Sequence, residues 1–405
     1  MKKTLLACGL LILSGPQDLK ASETEIEVHG YMSRGYMKSD KYNYLAENSK
    51  DSTTKWGEIG INFGYQAHDR LRFGAQILAR ELGNAGEYNP ELDWGFADYK
   101  LTDYASVKFG KFFVPWGLYN EGRDVDILRN SILPIQAVYN EDFRDISLLK
   151  GLELHGSFEL GERNSIDYRL AKGNVDINSG SSLFKDVNFS LNKSYSAAIL
   201  QATAGAVNIA NPVNSLDLNI NGMTAYGLVW NTWVDGLRLG FTSMEPDIDI
   251  NAQVAVIGPQ YTKYDFTENF EVSSVEYTKD QWTYSFEKMT YLINAVTSTG
   301  STPFLKNHAY YHQINYRLND RYELGLVRQN DYSNVLKGKN TINLYQNDLA
   351  FTVRVDMSED WVLKLEYHDL EGTALLRDIL NPGVTAAVNQ GKDWDMIMAK
   401  VTYSF

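Results

Sequence analysis

Cysteine is almost missing: Cys8 is the only one among 405 residues. It falls in a segment expected to be cleaved off, which leaves the mature chain without disulfides or thiolate metal sites. A chain without thiols can also cross an oxidising compartment unfolded and form no wrong crosslinks. Proline is scarce, at 9 residues, and no Pro/Ser-rich linker or low-complexity stretch divides the sequence. One large closed unit therefore fits better than the two or three soluble domains this length would suggest. Histidine numbers only 6, and no Ser/His/Asp arrangement stands out, so catalytic residues are not expected. His308 and His312 share a strand face with Tyr310 and Ile314, an apolar setting rather than a metal site. No run beyond the N-terminus reaches the roughly 18 apolar residues of a transmembrane helix, and mean hydropathy is −0.33. Positive charge is in deficit, with 38 Lys and Arg against 51 Asp and Glu, a net of −13. Setting aside the first 21 residues, with their three Lys and one Asp, makes it about −15. Such a chain is a poor partner for nucleic acid.

What is present begins with a targeting segment. Lys2 and Lys3 precede the apolar run Thr4 to Leu13, which Gly15 and Pro16 break, and Ala21 offers a small residue before Ser22. Residues 1–21 read as a secretory signal peptide. Leu5-Leu6-Ala7-Cys8 mimics a lipoprotein cleavage box, but the apolar run continues past it. Residues 22–405 read as one domain. The aromatic content is high, with 26 Tyr and 8 Trp, residues whose amphipathic rings settle at membrane interfaces. A membrane protein without an apolar helix must be a closed barrel, because only a sheet without edges satisfies every backbone group in lipid.

The repeated unit is an alternating strand of about ten residues, the span of a tilted membrane strand. In the last one, Ile397, Ala399, Val401, Tyr403 and Phe405 face one way and Lys400, Thr402 and Ser404 the other. Strands are expected near 26–36, 55–66, 71–82, 92–101, 105–114, 151–160, 165–174, 223–233, 237–246, 270–279, 282–291, 309–317, 321–331, 347–357, 361–371 and 393–405. Seven short turns rich in Asp, Asn and Gly alternate with longer connections. They are Ala67-Asp69, Thr102-Tyr104, Gly161-Asn164, Val234-Gly236, Lys279-Gln281, Leu318-Asp320 and Ser358-Asp360. The expected fold is all-β, a 16-stranded antiparallel transmembrane β-barrel. Its third outer loop, about 115–150, and its fourth, about 175–222, are long enough to suggest function. In the fourth, Ser194 reads as a cap, with Tyr195, Ala198, Ile199 and Ala202 at helical spacing and Gly205 as a stop. An extra hairpin turning at Asn192-Lys193 would instead give 18 strands.

The segment Val107-Lys108-Phe109-Gly110-Lys111-Phe112, followed by Val114-Pro115-Trp116-Gly117-Leu118-Tyr119-Asn120-Glu121, then Arg123-Asp124, Arg129, Leu133-Pro134 and Tyr139, resembles the region of Gram-negative outer-membrane porins where strand five passes into loop three. The phosphate-selective and DcaP-like porin group is the nearest match. The resemblance implies a trimeric diffusion porin of the bacterial outer membrane whose third loop folds inward, with no cofactor. Its implied partners are outer-membrane lipid and lipopolysaccharide, the barrel-assembly machinery, other copies in a homotrimer, and small hydrophilic solutes. It also makes the terminal aromatics Tyr403 and Phe405 the assembly signal. One departure stands out: DcaP-like porins carry an N-terminal coiled coil, whereas here a strand is expected within a few residues of Ser22.

A constriction needs fixed charges of both signs facing a narrow gap. The third loop supplies Glu121, Arg123, Asp124, Asp126 and Arg129, with Glu141, Asp142, Arg144 and Asp145 further on. Ile127, Leu128, Ile132, Leu133 and Ile135 are expected to pack it against the wall. Alternation places Arg169, Arg238, Arg317, Arg354, Lys364 and Lys400 in the lumen, with Asp98, Glu153, Glu159, Asp167, Glu276, Glu287, Glu323, Asp356 and Glu366. Arg70, Arg72, Arg80, Lys100 and Lys108 form the candidate basic cluster opposite loop three, which tilts the expected preference towards anions. Glu245 to Asn251 carries carboxylates but not the pattern of a Ca²⁺ loop and is read as a solvated outer loop. The reading from another class is an adhesion or structural barrel acting through its long surface loops.

Overall fold

Alternation with a period of two runs through the chain, and each strand built on it turns one face to the interior and one outwards. The computed structural model describes residues 26–83, 86–254, 260–297, 300–301, 305–333, 344–382 and 391–405. The expected signal peptide lies outside the described residues. Sixteen strands are present: β1 (Glu27–Ser39), β2 (Trp56–His68), β3 (Leu71–Leu82), β4 (Glu91–Lys100), β5 (Ser106–Phe113), β6 (Leu148–Glu159), β7 (Ser165–Val175), β8 (Val213–Asn231), β9 (Leu237–Val254), β10 (Gln260–Lys279), β11 (Trp282–Thr297), β12 (Leu305–Arg317), β13 (Tyr322–Ser333), β14 (Tyr345–Asp356), β15 (Trp361–Gly372) and β16 (Asp393–Ser404). Each pairs antiparallel with its neighbours, and Gly300–Ser301 adds a two-residue pairing back onto the tip of β11.

The barrel closes where β1 meets β16, in register from Tyr31 opposite Ser404 to Ser39 opposite Met396. Beyond that seam, Phe405 and Gly30 exchange both backbone hydrogen bonds, each at 3.0 Å. A Cβ on Gly30 would run into the Phe405 ring and sit 2.9 Å from the Gly60 carbonyl, so the seam is closed by an aromatic lying over a glycine. In β16, Met396, Met398, Lys400 and Thr402 are buried inwards while Ile397 is exposed outwards. Phe109, Leu152, Leu170, Leu228, Phe351 and Leu365 are likewise exposed on the outer face, an apolar belt suited to lipid. Removing Phe405 takes away two hydrogen bonds and the ring over Gly30. The amount of heat-modifiable barrel recovered from membranes should fall severalfold. A normal yield would refute the role given to this terminus.

Two expectations are corrected. Residues 182–202 form one helix, α2 (Ser182–Ala202), so the turn at Asn192-Lys193, and with it the 18-strand alternative, does not occur. Its cap is Ser181, whose Oγ accepts from the Phe184 N–H at 3.2 Å, and not Ser194. Leu183, Phe184, Val187 and Leu191 recur on one face and pack on the interior cluster, which explains the earlier start. The second correction concerns strand length. β8 begins at Val213 rather than 223, and β9 runs to Val254 rather than 246, so Glu245 to Asn251 is strand and not loop. In β8 the pairing slips between Ile220 and Gly222. Such a bulge moves the buried set from odd to even positions: Met223 and Ala225 below it, Leu218 and Ile220 above it. In β9 the proline at 246, which has no N–H to give, sits where pairing with β10 is interrupted. Among the described residues no helix is long and apolar enough to cross a membrane.

Candidate functional site: a charged segment crossing the barrel interior

The 34 residues between β5 and β6, residues 114–147, carry the charges expected of the third loop. The two ends of the segment are tied together, since Val114 N–H donates to the Ser147 carbonyl at 2.9 Å. Within it lies the one-turn helix α1 (Gln136–Tyr139). Just past β5 the segment is anchored to a buried carboxylate on β11. Glu287 accepts from the Leu118 N–H at 2.8 Å, Tyr139 Oη at 2.6 Å, Tyr311 Oη at 2.8 Å and Ser274 Oγ at 2.7 Å. Gly117 has φ +58°, and a Cβ there would collide with the Tyr139 hydroxyl and the Glu287 carboxylate. Glycine is therefore required twice over. Trp116 fills the space beside this anchor, against Phe270 and Tyr139.

The far end of the segment meets the opposite wall. The Asp126 carboxylate lies 3.0 Å from Lys364 Nζ on β15, 3.5 Å from Lys400 Nζ on β16 and 3.2 Å from Arg129. It also accepts from Thr402 Oγ1 at 2.7 Å. Burial alone would raise the pKa of Asp126. The ammonium groups of Lys364 and Lys400 and the Arg129 guanidinium outweigh it and hold the carboxyl well below the usual carboxylate range. Ile132 N–H donates to Glu366 at 2.7 Å, and Arg354 Nη1 donates to the Ile127 carbonyl at 2.5 Å. Ile132, Leu133 and Ile135 are buried as expected, but Leu128 stays exposed.

A third set of contacts joins the segment to β3 and β4. Glu141 lies 2.9 Å from Arg80 and 3.3 Å from Arg123. Burial opposes its charge, yet Arg80, Arg123 and Arg144 hold it well below the usual range. Arg144 bridges Asp124 and Asp93, both at 3.0 Å. Burial raises Asp124, which Arg144 resists and the like charge of Asp93 reinforces. Asp93 points inwards because β3 and β4 lose register between Gln76 and Ile77, another bulge that re-aims a side chain. Glu121 is the most solvent-facing of these charges, with its side chain 45% exposed, and pairs with Arg169 on β7 at 2.8 Å.

The expected loop residues thus come together in pairs: Glu121 with Arg169, Arg123 with Glu141, Asp124 with Arg144, and Asp126 with Arg129. The expected basic cluster does not gather at one place. Arg80 reaches the loop, Lys108 pairs with Glu153 at 2.9 Å, and Arg72 stands opposite Asp98 in the sheet register. Arg70 lies in the turn before β3, and Lys100 is at the strand end, paired with Asp103 at 2.8 Å. Sequence reading missed Glu58, Asp93 and Thr402 as partners of this network. Glu58 and Thr402 were visible as inward positions by alternation; Asp93 was hidden by its bulge.

A large closed barrel crossed by a charged segment defines a porin-type architecture, and solved structures agree. No known protein family and no curated protein matches the sequence. The fold is similar to a trimer form of OmpT, an outer membrane protein of Vibrio cholerae, at 12% identity over 95% of this chain and 100% of that one, with TM-score 0.55. It is similar to an anion-selective porin from Comamonas acidovorans at 9% identity over 95% and 100%, TM-score 0.53. It is also similar to the outer membrane channel DcaP of Acinetobacter baumannii at 9% identity over 94% and 97%, TM-score 0.54. These likenesses are of fold, and together with the barrel they point to the outer membrane.

Proposed function

We propose that the protein is an outer-membrane porin, a passive diffusion channel for small hydrophilic solutes, in which residues 114–147 form the constriction. One observation carries the reading. The segment spends its charges on inward-facing partners of β3, β4, β7, β15 and β16 rather than on solvent. Fixed charges of both signs in a narrow passage sort solutes by charge and dipole. Glu121, Arg123, Asp124, Asp126 and Arg129 have this role, with Arg80 and Lys108 on the facing wall. Anions are the favoured ions in this reading, from the basic residues Arg72, Arg80, Arg144 and Arg169 along β3 to β7 and the loop facing them. Assembly as a homotrimer is part of the proposal, supported by the trimeric V. cholerae relative in fold.

No chemistry is assigned. Both ring nitrogens of His368 are engaged, by Asp348 at 2.9 Å and Glu366 at 3.2 Å, so its imidazole has no free base to offer. Packing of the third loop and α2 on the barrel interior favours a filter over adhesion through projecting loops.

Purified protein in a planar bilayer should give stepwise conductance in groups of three. In a KCl gradient the reversal potential should have the sign of chloride preference. Absence of conductance would overturn the porin reading, and the opposite sign would overturn the anion preference alone.

A further inference from the structure

Strand β8 outruns its neighbour β7. β7 ends at Val175, opposite Ile220, whereas β8 begins at Val213. Over residues 213–219 the strand therefore has β9 on one side and no strand on the other. Residues 215–220 pair one by one with residues 253–248, so this stretch is regular sheet and not a frayed end. In an antiparallel ladder alternate residues turn both backbone groups to the same side. About half of these residues thus direct N–H and C=O away from β9. Among the described residues one such group is met: Val213 N–H donates to Asn192 Oδ1 on α2 at 2.9 Å. Asn214, Ser215 and Asp217 are exposed.

An open edge cannot stand in lipid, where every backbone group needs a partner. This one stands above the apolar belt. The exposed belt residues of β8 are Tyr226 and Leu228, and Asn219 lies roughly 23 Å further along the strand than Tyr226. Its outward side chains are Ser215, Asp217 and Asn219, its inward ones Leu216 and Leu218. Natural sheets guard open edges with lysine, proline, a bulge or a covering element. Residues 213–219 contain neither lysine nor proline, and the bulges lie only at the two ends. Such an edge is a template for an added strand.

Charge selects the occupant. Asp217 has no side-chain partner among the described residues. Glu245, Asp247 and Asp249 stand on the outward face of β9, the last accepting from Asn221 Nδ2 at 2.6 Å, and Asp265 of β10 is in register with Asp249. The cations are fewer. Lys150 pairs with Asp176 at 3.5 Å below the edge, Lys172 of β7 is opposite Thr224, and Lys263 of β10 is opposite Asn251. On α2, Lys185 and Lys193 have partners of their own. Complementary charge steers and selects a partner, and here it favours a basic one.

We propose that residues 213–219 of β8 are a docking edge for an extended segment of another polypeptide arriving from outside the cell, in which apolar residues alternate with Lys or Arg. The segment adds a strand to the sheet, with its apolar side chains towards Leu216 and Leu218 and its basic ones beside Asp217. The inference rests on the membrane reading of the barrel and not on conductance. Fluorescence anisotropy of the full chain in detergent tests it, with a labelled peptide of alternating Lys and Val as probe. The wild type should bind this peptide. The same peptide N-methylated along its hydrogen-bonding edge should bind about a hundredfold more weakly, through loss of the main-chain bonds. D217K should weaken binding about tenfold, with heat-modifiable mobility verifying a folded barrel, and a peptide of alternating Glu and Val should not bind. Amides within residues 214–219 should exchange hydrogen quickly in the free protein and slowly with the Lys-Val peptide. Equal binding of the N-methylated peptide would overturn strand addition in favour of adsorption by charge. Equal binding of the Glu-Val peptide would overturn the basic partner. Amides already protected without peptide would overturn the open edge, and loss of that protection when the oligomer dissociates would assign it to a second copy of this chain.

Discussion

Replacing Asp126 with alanine should raise the single-channel conductance severalfold and make the current noisy, while the barrel still inserts. The carboxylate is the side-chain group of residues 114–147 that grips Lys364, Lys400 and Thr402 on β15 and β16 together. Lys364 and Lys400 are among the most buried side chains of the molecule. Taking away one partner of a buried ion pair costs about 3–5 kcal/mol, because the other charge is left uncompensated. Lys400 retains Glu58 at 3.0 Å and Lys364 retains the carbonyls of residues 126 and 131, so the loss falls on the seating of the segment. The sheet's own ladder is untouched. Asp126→Asn keeps the shape and discards the charge, and should reproduce most of the effect. The pH dependence follows from the sign of the shift. A carboxyl held far below its unfolded value stabilises the fold at every pH above that unfolded value, and loses hold only in strong acid. Acidification to pH 5 should therefore leave this contact intact. Bilayer recordings of both variants identical to wild type would refute the seat.

The second large effect concerns Arg377, buried in the connection between β15 and β16. Its guanidinium lies 2.8 Å from Asp186 on α2 and 3.4 Å from Asp142 in the third loop, so one side chain joins three loops. Lys193 on α2 and Asp378 add a second tie at 2.9 Å. Asp142 is pushed up to about 7 by burial, with Asp186 and Glu141 adding to the rise and Arg377 opposing it. Because its folded value exceeds the unfolded one, the folded arrangement takes up a proton between about pH 4 and 7 and is stabilised as pH falls through that window. Arg377→Ala leaves two carboxylates facing each other without a cation. At pH 8 it should free α2 and increase conductance and flicker. At pH 5, with Asp142 protonated, the variant should recover much of the wild-type current. Asp142→Asn should be insensitive to pH over the same range. An Arg377→Ala channel equally altered at both pH values would sink the argument.

Much of this was readable before any coordinates. The sixteen strands and seven short turns follow from alternation and turn chemistry, and the concentration of charge at residues 121–129 was plain, though not which charge would pair with which. What escaped was what local pattern does not carry. The bulge at Gly222 reverses parity, so the upper half of β8 reads as loop. The bulge facing Gln76 turns Asp93 inwards. The start of α2 depends on Leu183 and Phe184 finding the interior cluster, a tertiary event, while Ser194 mimics a cap in the middle of the helix. The basic cluster failed to gather because the residues stand at different heights. Lys100 ends its strand, whereas Arg80 lies within β3, close enough to the third loop to pair with Glu141.

The contacts of Asp126 also order events in time. Lys364, Lys400 and Thr402 belong to the last two strands to be synthesised, more than 230 residues downstream of Asp126. Residues 114–147 therefore have nowhere to settle on that side until β16 has met β1 at the Phe405 seam. That segment therefore takes its place only once β16 is in position, and a barrel stalled before closure would be one with its central segment adrift.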